Sequence, residues 1–224
     1  MSMSELHKPE WYGEYAVIKN KYNDYVQVEY KCNGTGSLYD YDLFPGIDLI
    51  FMDFNCSDIF HEPIPNKNII EIRHYQKGRV EFELRNNKVF HMKEGEFCIN
   101  ALANIPAAYS FPFGYSVGLS CVIDKDSVDV QTQQFFSYYN IDVLNLGREL
   151  ELEKIGFYVE HHSDCCISSM NCTPQKVLKG EITSVLNYWN SFIISNNCGL
   201  KISMKQHIMP RNKLKLSSES GNSL

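Results

Sequence analysis

The feature that most constrains the fold of this chain is a run of short alternating segments between residues 69 and 100. Apolar residues recur at every second position, first at Ile70 and Ile72 and then at Val80 and Phe82, with charged residues between them. This period-two pattern predicts β-strands with one face in a core and one face in water. Polar turns are expected at 76–78, 85–87 and 93–95, so four short strands follow closely on one another, as is typical of a β-sandwich or barrel.

Further strands are predicted on both sides of this run, at 25–30, 47–54 and 115–123, and residues 33–37 are predicted to form a loop. After residue 124 the pattern changes from alternation to helical spacing. One helix is predicted over 128–139 with Asp126 as its N-cap, and a second over 143–155. The sequence therefore predicts a mainly β protein in which a barrel is followed by a few C-terminal helices.

Two stretches of this run, EIRHYQKGRVEFEL and KVFHMKEGEFCIN, resemble the sensor half of AraC-type transcription regulators. The entry strand of that half is similar to FPGIDLIFMDF, and its later strands are similar to YSFPFGYSVGLSCVID. The resemblance spans roughly residues 10 to 160. It implies a cupin-like double-stranded β-helix, a jelly-roll barrel that encloses a pocket for a small effector. It also implies that effector binding alters how the sensor packs against a partner subunit or a DNA-binding domain, without indicating which residues line the pocket.

The domain division that follows has four parts: a polar lead-in at 1–15, the sensor barrel at 16–125, a helical linker or dimerisation segment at 126–185, and a divergent, poorly ordered tail at 186–224. In AraC-type regulators the sensor is followed by two helix-turn-helix motifs, and no such pair is visible after residue 160. DNA contact is thus expected only through a partner, such as a full-length regulator, or through a missing domain.

A frameshift is one hypothesis for this departure. Shifting the frame from His207 onward permits His-Tyr-Ala-Lys-Lys-Gln-Ile-Glu-Ile, which resembles the linker of that family. Under this hypothesis the chain is the truncated, non-functional product of a regulator gene. The other alternative is a metal-dependent cupin enzyme, which needs three convergent imidazole or carboxylate ligands.

Composition bounds the remaining possibilities. The net charge is −6 and residues 1–199 contain no basic block, which counts against a nucleic-acid surface there. No apolar run approaches the ~18–20 residues that span a bilayer, and the polar N-terminus does not resemble a signal peptide, so a cytoplasmic protein without membrane contact is expected. Among its eight cysteines, Cys32, Cys56, Cys98 and Cys121 lie in strand-like sequence and are expected to be reduced, packed thiols.

Catalytic and metal-binding patterns are weak. His74 and His91 are isolated, whereas metal-binding cupins need paired histidines and a glutamate on adjacent strands. The denser group at 161–166 lacks the spacing of a zinc knuckle, and no Gly-x-Ser-x-Gly nucleophile motif occurs. We therefore predict no catalytic residue, no metal, no cofactor and no enzymatic activity.

Binding of a small molecule inside the barrel is the remaining function. By alternation, one inward face is predicted to carry Ile70, Ile72, His74, Val80, Phe82 and Leu84, which makes His74 the polar group among apolar walls. The candidate ligand-binding residues are His74, Phe82, His91, Phe51, Tyr109 and Tyr115. The alternative that any of these side chains merely fills a closed core is equally open.

Overall fold

The structure is a computed structural model that describes residues 12–23, 25–60, 68–83, 88–101, 108–138, 141–149, 157–161 and 208–210. Within these ranges the strands are β1 (Ala16–Lys21), β2 (Tyr25–Tyr30), β3 (Gly34–Phe44), β4 (Ile47–Cys56), β5 (Asp58–Phe60), β6 (Ile69–Glu83), β7 (Lys88–Lys93), β8 (Glu96–Ala101), β9 (Ala108–Ser110), β10 (Ser116–Asp124), β11 (Phe157–His161) and β12 (Ile208–Pro210). The helices are α1 (Val130–Tyr138) and α2 (Leu146–Glu149).

The strands form two antiparallel sheets that share the long strand β6. The first sheet has the order β1-β2-β3-β4-β10-β6-β8-β11, and the second has the order β5-β9-β6-β7-β12. When the two halves of β6 are counted separately, eight consecutive strands run from β4 to β10. In the first sheet, four of these strands lie in the order β4, β10, first half of β6 and β8. In the second sheet, the other four lie in the order β5, β9, second half of β6 and β7.

This interleaved order is that of the jelly roll, the double-stranded β-helix of cupins. Winding the chain alternately between the two sheets curls them around a common interior. The predicted fold class is therefore confirmed: the chain is mainly β, with a cupin-like jelly-roll barrel followed by a few helices.

A β-bulge lets β6 pass from one sheet to the other. Val117 pairs with Lys77 while the next residue, Gly118, pairs with Tyr75, so Gln76 is an extra residue without a partner in β10. Just after the bulge, Gly78 adopts a φ of 88°. The extra residue bends the strand and shifts its alternation by one position.

Several local predictions are corrected here. The turn predicted at 76–78 is the bulge inside one continuous strand, because β10 pairs with β6 on both sides of it. The loop predicted at 33–37 is mostly the start of β3, whose Gly34 is paired with Cys56 of β4. The turn predicted at 93–95 and the strands predicted at 25–30 and 47–54 are confirmed. Residues 84–87, including Leu84, lie outside the described residues.

The buried apolar residues form two layers, one on each face of the first sheet. The interior layer lines the barrel and includes Val28, Met52, Tyr75, Phe82 and Tyr109. The outer layer lies on the opposite face of the first sheet and includes Ile72, Leu49, Cys121, Phe136 and Leu146. Both faces of this sheet are therefore covered.

Helix α1 seals part of the outer layer. Its N-cap is Asp129, whose Oδ1 accepts a hydrogen bond of 2.7 Å from the backbone N–H of Thr132, and Phe136 is buried one turn later. Asp126 was the predicted N-cap, but its carboxylate accepts hydrogen bonds from the Asn68 side chain instead. Asp129 lies directly before the helix and is thus correctly placed to cap it.

The predicted second helix over 143–155 is much shorter than expected, because α2 ends at Glu149 and β11 begins at Phe157. Strand β11 pairs with β8, and strand β12, which falls within the predicted tail, pairs with β7. Among the helices that the structure describes, none has both the length and the apolar character needed to cross a bilayer.

Candidate ligand-binding site

The interior face of the barrel carries charged residues on the first half of β6. In antiparallel pairs, residues directly opposite each other point to the same side of a sheet. Glu71 lies opposite Asn100, and Arg73 lies opposite both Cys98 and Ser120. Cys98 belongs to the interior layer, so Glu71 and Arg73 face the inside of the barrel.

Arg73 and Glu71 form an ion pair in this interior. The Arg73 Nη2 and Nε groups donate hydrogen bonds of 2.5 and 3.1 Å to Glu71 Oε1, and Ser120 Oγ donates a third of 2.6 Å to the same oxygen. The side chains of Arg73 and Glu71 are only 12% and 9% exposed. Charges removed from water to this extent require such partners, since an unpaired buried charge is strongly unfavourable.

Tyrosines surround the guanidinium of Arg73. Its Nη1 donates a hydrogen bond of 3.2 Å to the hydroxyl of Tyr75, and its Cζ lies 5.0 Å from the centroid of the Tyr109 ring. That distance is within the range of a cation–π contact. Burial raises the pKa of Tyr109 to about 12, so its hydroxyl remains protonated and able to donate a hydrogen bond at neutral pH. We call Glu71, Arg73, Tyr75, Tyr109 and Ser120 the arginine cluster.

A second polar group lies on the interior face of β3 and β4. Asp40 is fully buried and accepts a hydrogen bond from the hydroxyl of Tyr12, which precedes β1. Asp48 is 7% exposed and lies directly opposite Asp42. Burial, together with the carboxylates of Asp40, Asp42 and Asp124, raises the pKa of Asp48 to about 9.

This raised pKa predicts a dependence of stability on pH. Because Asp48 binds its proton more tightly in the folded chain, its stabilising contribution is complete below the ordinary pKa of 3.8 and is lost as the pH rises towards 9. Asp48→Asn is therefore expected to raise the free energy of unfolding by on the order of 2 kcal/mol at pH 8, with almost no change at pH 4.

Urea unfolding of both proteins from pH 4 to 9 measures this difference. Asp53→Asn, on the opposite face of β4 and exposed, is the matched control and is expected to show no such dependence. An Asp48→Asn effect that is equal at pH 4 and pH 8 would contradict the assignment of the proton to Asp48.

The six ligand residues predicted from the sequence are divided among four places. Phe82 and Tyr109 lie in the barrel interior, with their ring centroids 5.6 Å apart. Phe51 lies in the outer layer, edge-on to Tyr41. Tyr115 lies in the loop before β10 and is 43% exposed. Whether any of them contacts a ligand stays a prediction.

The two histidines point away from the barrel interior. His74 lies opposite Leu119 on the outer-layer face, where burial lowers its pKa to about 4. His91 lies opposite Glu81, whereas the interior residues Phe82 and Phe90 pair at the neighbouring position. The prediction that Ile70, Ile72 and His74 share a face with Val80 and Phe82 is wrong, because the bulge at Gln76 shifts the alternation.

Glu71 and Arg73 were not among the predicted site residues, because the alternation indicated that they lie on the water-facing side of a strand. The first half of β6 does alternate as predicted. Its apolar face packs in the outer layer, and its charged face points into the barrel. A usable signal was the Glu-x-Arg-x-Tyr spacing of Glu71, Arg73 and Tyr75, which puts an acid, a base and a phenol side by side on one strand face. In the described parts of the chain, no three His, Cys, Asp or Glu side chains form a group that could hold a metal ion.

Comparison with known proteins identifies no family. No protein-family model matches the chain, and no curated protein matches it. Similarities to solved structures are partial. A Cupin 2 conserved barrel domain protein from Salinispora arenicola superimposes with a TM-score of 0.33 at 10% identity, over 48% of this chain and 87% of that one.

Two further solved structures show likeness of the same size. The EutQ protein of Clostridium difficile gives a TM-score of 0.31 at 15% identity, over 40% of this chain and 69% of that one. An HTH_3 family transcriptional regulator from Vibrio cholerae gives 0.29 at 15% identity, over 38% of this chain and 50% of that one. Likeness this low says nothing about function, and the jelly-roll assignment rests on the strand order itself.

Proposed function

We propose that this chain is the effector-sensing and dimerisation part of an AraC-type transcription regulator, and that it binds a small polar molecule inside its barrel. The observation that carries the proposal is the arginine cluster. A jelly roll that served only as a scaffold is most simply filled with apolar side chains, since a buried ion pair adds little net stability. An ion pair ringed by tyrosines inside a barrel is better suited to recognising a ligand.

The chemistry of the arginine cluster indicates which chemical groups such a ligand carries. The Tyr75 and Tyr109 rings provide flat surfaces, and their hydroxyls, with that of Ser120, provide donors and acceptors. The guanidinium of Arg73 is held in place by Glu71, so it presents a fixed positive charge to a polar group of the ligand. In this proposal the chain is a binding module that performs no reaction of its own.

Regulation would follow from coupling between the barrel and a partner. An effector that binds one arrangement of two subunits better than another shifts the equilibrium between them. Contact with DNA would come from a partner, such as a full-length regulator, or from another domain. The sequence resemblance to AraC-type sensors over residues 10 to 160 supports this part of the proposal.

Ligand binding is tested by a thermal-shift screen of the purified chain against amino acids, sugars, amines and small carboxylic acids. We expect at least one class to raise the Tm, because a ligand that binds the folded state stabilises it. Tyr109→Phe, which removes one hydroxyl from the arginine cluster, is expected to weaken binding of that compound about tenfold.

Tyr138→Phe is the matched control, since it removes the same atom from a tyrosine at the end of α1 that is 82% exposed, and it should leave the affinity unchanged. Sedimentation with and without the compound then measures self-association. A screen without any stabilising compound would argue against a sensor, as would a compound whose affinity is the same in both tyrosine variants.

A further inference from the structure

Two cysteines lie together at one end of the barrel interior. Cys56 is the last residue of β4 and is buried in the interior layer, and Cys32 lies in the turn between β2 and β3 and packs against the same layer. Both side chains lie on the same face of the first sheet, beside Gly34 and Gly36 of β3. Both are free in the structure, as are Cys98 and Cys121.

Two glycines of β3 leave room for these two side chains. A Cβ on Gly36 would lie 3.3 Å from the Cys32 sulfur and 2.9 Å from the Phe54 ring, and a Cβ on Gly34 would lie 3.2 Å from the Cys56 Cβ. Side chains at these two positions would therefore press on both cysteines. Because the glycines have no side chains, the Cys32 and Cys56 side chains occupy the space above this end of β3.

The two thiols differ in accessibility. Cys32 is half-buried and within reach of small solutes, whereas Cys56 is only 4% exposed. Burial and the neighbouring Cys32 thiol raise the pKa of Cys56 to about 12, which makes it a poor initial nucleophile. An accessible thiol beside a buried second thiol is the usual arrangement of an attacking and a resolving cysteine.

We infer that Cys32 and Cys56 are a peroxide-sensitive pair that closes reversibly into a disulfide. The Cys32 thiolate attacks one oxygen of hydrogen peroxide, the O–O bond breaks, and Cys32 becomes a sulfenic acid while the other oxygen leaves as water after taking up a proton. Cys56 then attacks the Cys32 sulfur and displaces hydroxide, which takes the proton of the Cys56 thiol. Two thiols and one peroxide thus give one disulfide and two waters.

The bridge would tie the turn before β3 to the end of β4. Cys32 follows Tyr30, a buried tyrosine of the barrel interior, by two residues. Oxidation would therefore act at the margin of the interior that the proposed ligand occupies. The inference itself does not depend on that ligand, because the disulfide forms or fails to form in the ligand-free chain.

Peptide mapping of the full chain after hydrogen peroxide and alkylation of the remaining thiols tests the pair. We expect a peptide that joins Cys32 to Cys56, about 2 Da lighter than the sum of its reduced parts, which disappears on treatment with dithiothreitol. Mapping also separates this bridge from any that involves the six other cysteines, Cys98, Cys121, Cys165, Cys166, Cys172 and Cys198. Cys32 recovered fully alkylated, or joined to another cysteine, would overturn the inference.

Dimedone labelling separates the roles of the two thiols. In Cys56→Ser, the sulfenic acid on Cys32 has no resolving partner, so dimedone should label Cys32 at least about tenfold more than in the unaltered chain. Cys98→Ser is the control, since Cys98 is buried and donates its hydrogen bond to Asn100, and it should leave the Cys32–Cys56 bridge unchanged. If Cys56→Ser does not fold, the mapping result on the unaltered chain still decides.

Discussion

Replacing Arg73 by methionine is expected to lower the free energy of unfolding by about 3–5 kcal/mol and to abolish binding of any effector found by the screen. Methionine keeps much of the length of the side chain but leaves the Glu71 carboxylate buried without its guanidinium partner. It also removes the donor to Tyr75 and the contact with the Tyr109 ring. Urea unfolding at pH 7 measures the first effect, and calorimetric titration measures the second.

The double variant Glu71→Gln with Arg73→Met distinguishes two causes of the lost stability. One is the buried charge of Glu71, and the other is the loss of the packing that Arg73 provides. If the loss comes mainly from the buried carboxylate that has lost its guanidinium partner, the double variant should recover at least half of the stability. Lys19→Ala is the control at an exposed ion pair, because Lys19 lies 3.0 Å from Glu29 with both side chains more than 40% exposed. It should cost less than about 1 kcal/mol. An Arg73→Met loss of that same size would mean that the arginine cluster is not buried as described.

Gly78→Ala is expected to destabilise the barrel by about 3 kcal/mol. A Cβ at this position would lie 2.4 Å from the Tyr115 carbonyl oxygen, and its φ of 88° is strained for any L side chain. The glycine follows the bulge through which β6 passes from one sheet to the other. Any shift that relieves the clash must therefore disturb the pairing of β6 with β10. Thermal and urea unfolding measure the loss.

Gly114→Ala is the matched control for this prediction. Gly114 has a similar φ of 74°, but a Cβ there would have no heavy atom within 4 Å. The variant keeps the backbone strain and omits the clash, so its cost should be about 1 kcal/mol. Equal losses of stability in the two variants would contradict this prediction. They would show that the clash at Gly78 costs no free energy beyond that of the backbone strain.

Much of the fold was predictable from local pattern. Alternation at Ile70 and Ile72, the turn at Lys93–Gly95 and the apolar run at 47–54 identified strands that the structure contains. These features are local, because side-chain alternation and turn chemistry depend on a few neighbouring residues. The bulge at Gln76 could not be predicted in this way, since β6 continues through that point only because β10 pairs with it on both sides.

The candidate site was less predictable than the fold. Phe82 and Tyr109 were identified and lie in the interior, but His74, His91 and Phe51 lie on other faces. The error at His74 has a second physical cause besides the bulge at Gln76. Period-two alternation shows that the two faces of a strand differ, and it does not show which face lies inside a barrel when helices cover the other face.

By itself, the sequence determined that this chain forms short antiparallel strands followed by helical segments, because hydrophobic periodicity and turn residues act over short range. Only the tertiary structure decided that the charged face of β6 lies inside the barrel. The apolar face, with Ile70 and Ile72, is covered by the outer layer that includes Phe136 of α1, while Glu71 and Arg73 satisfy each other in the interior. That outcome depends on contacts between segments far apart in the chain. The segments that pack against each face of β6 determine which face becomes the barrel interior, and the composition of the face alone does not.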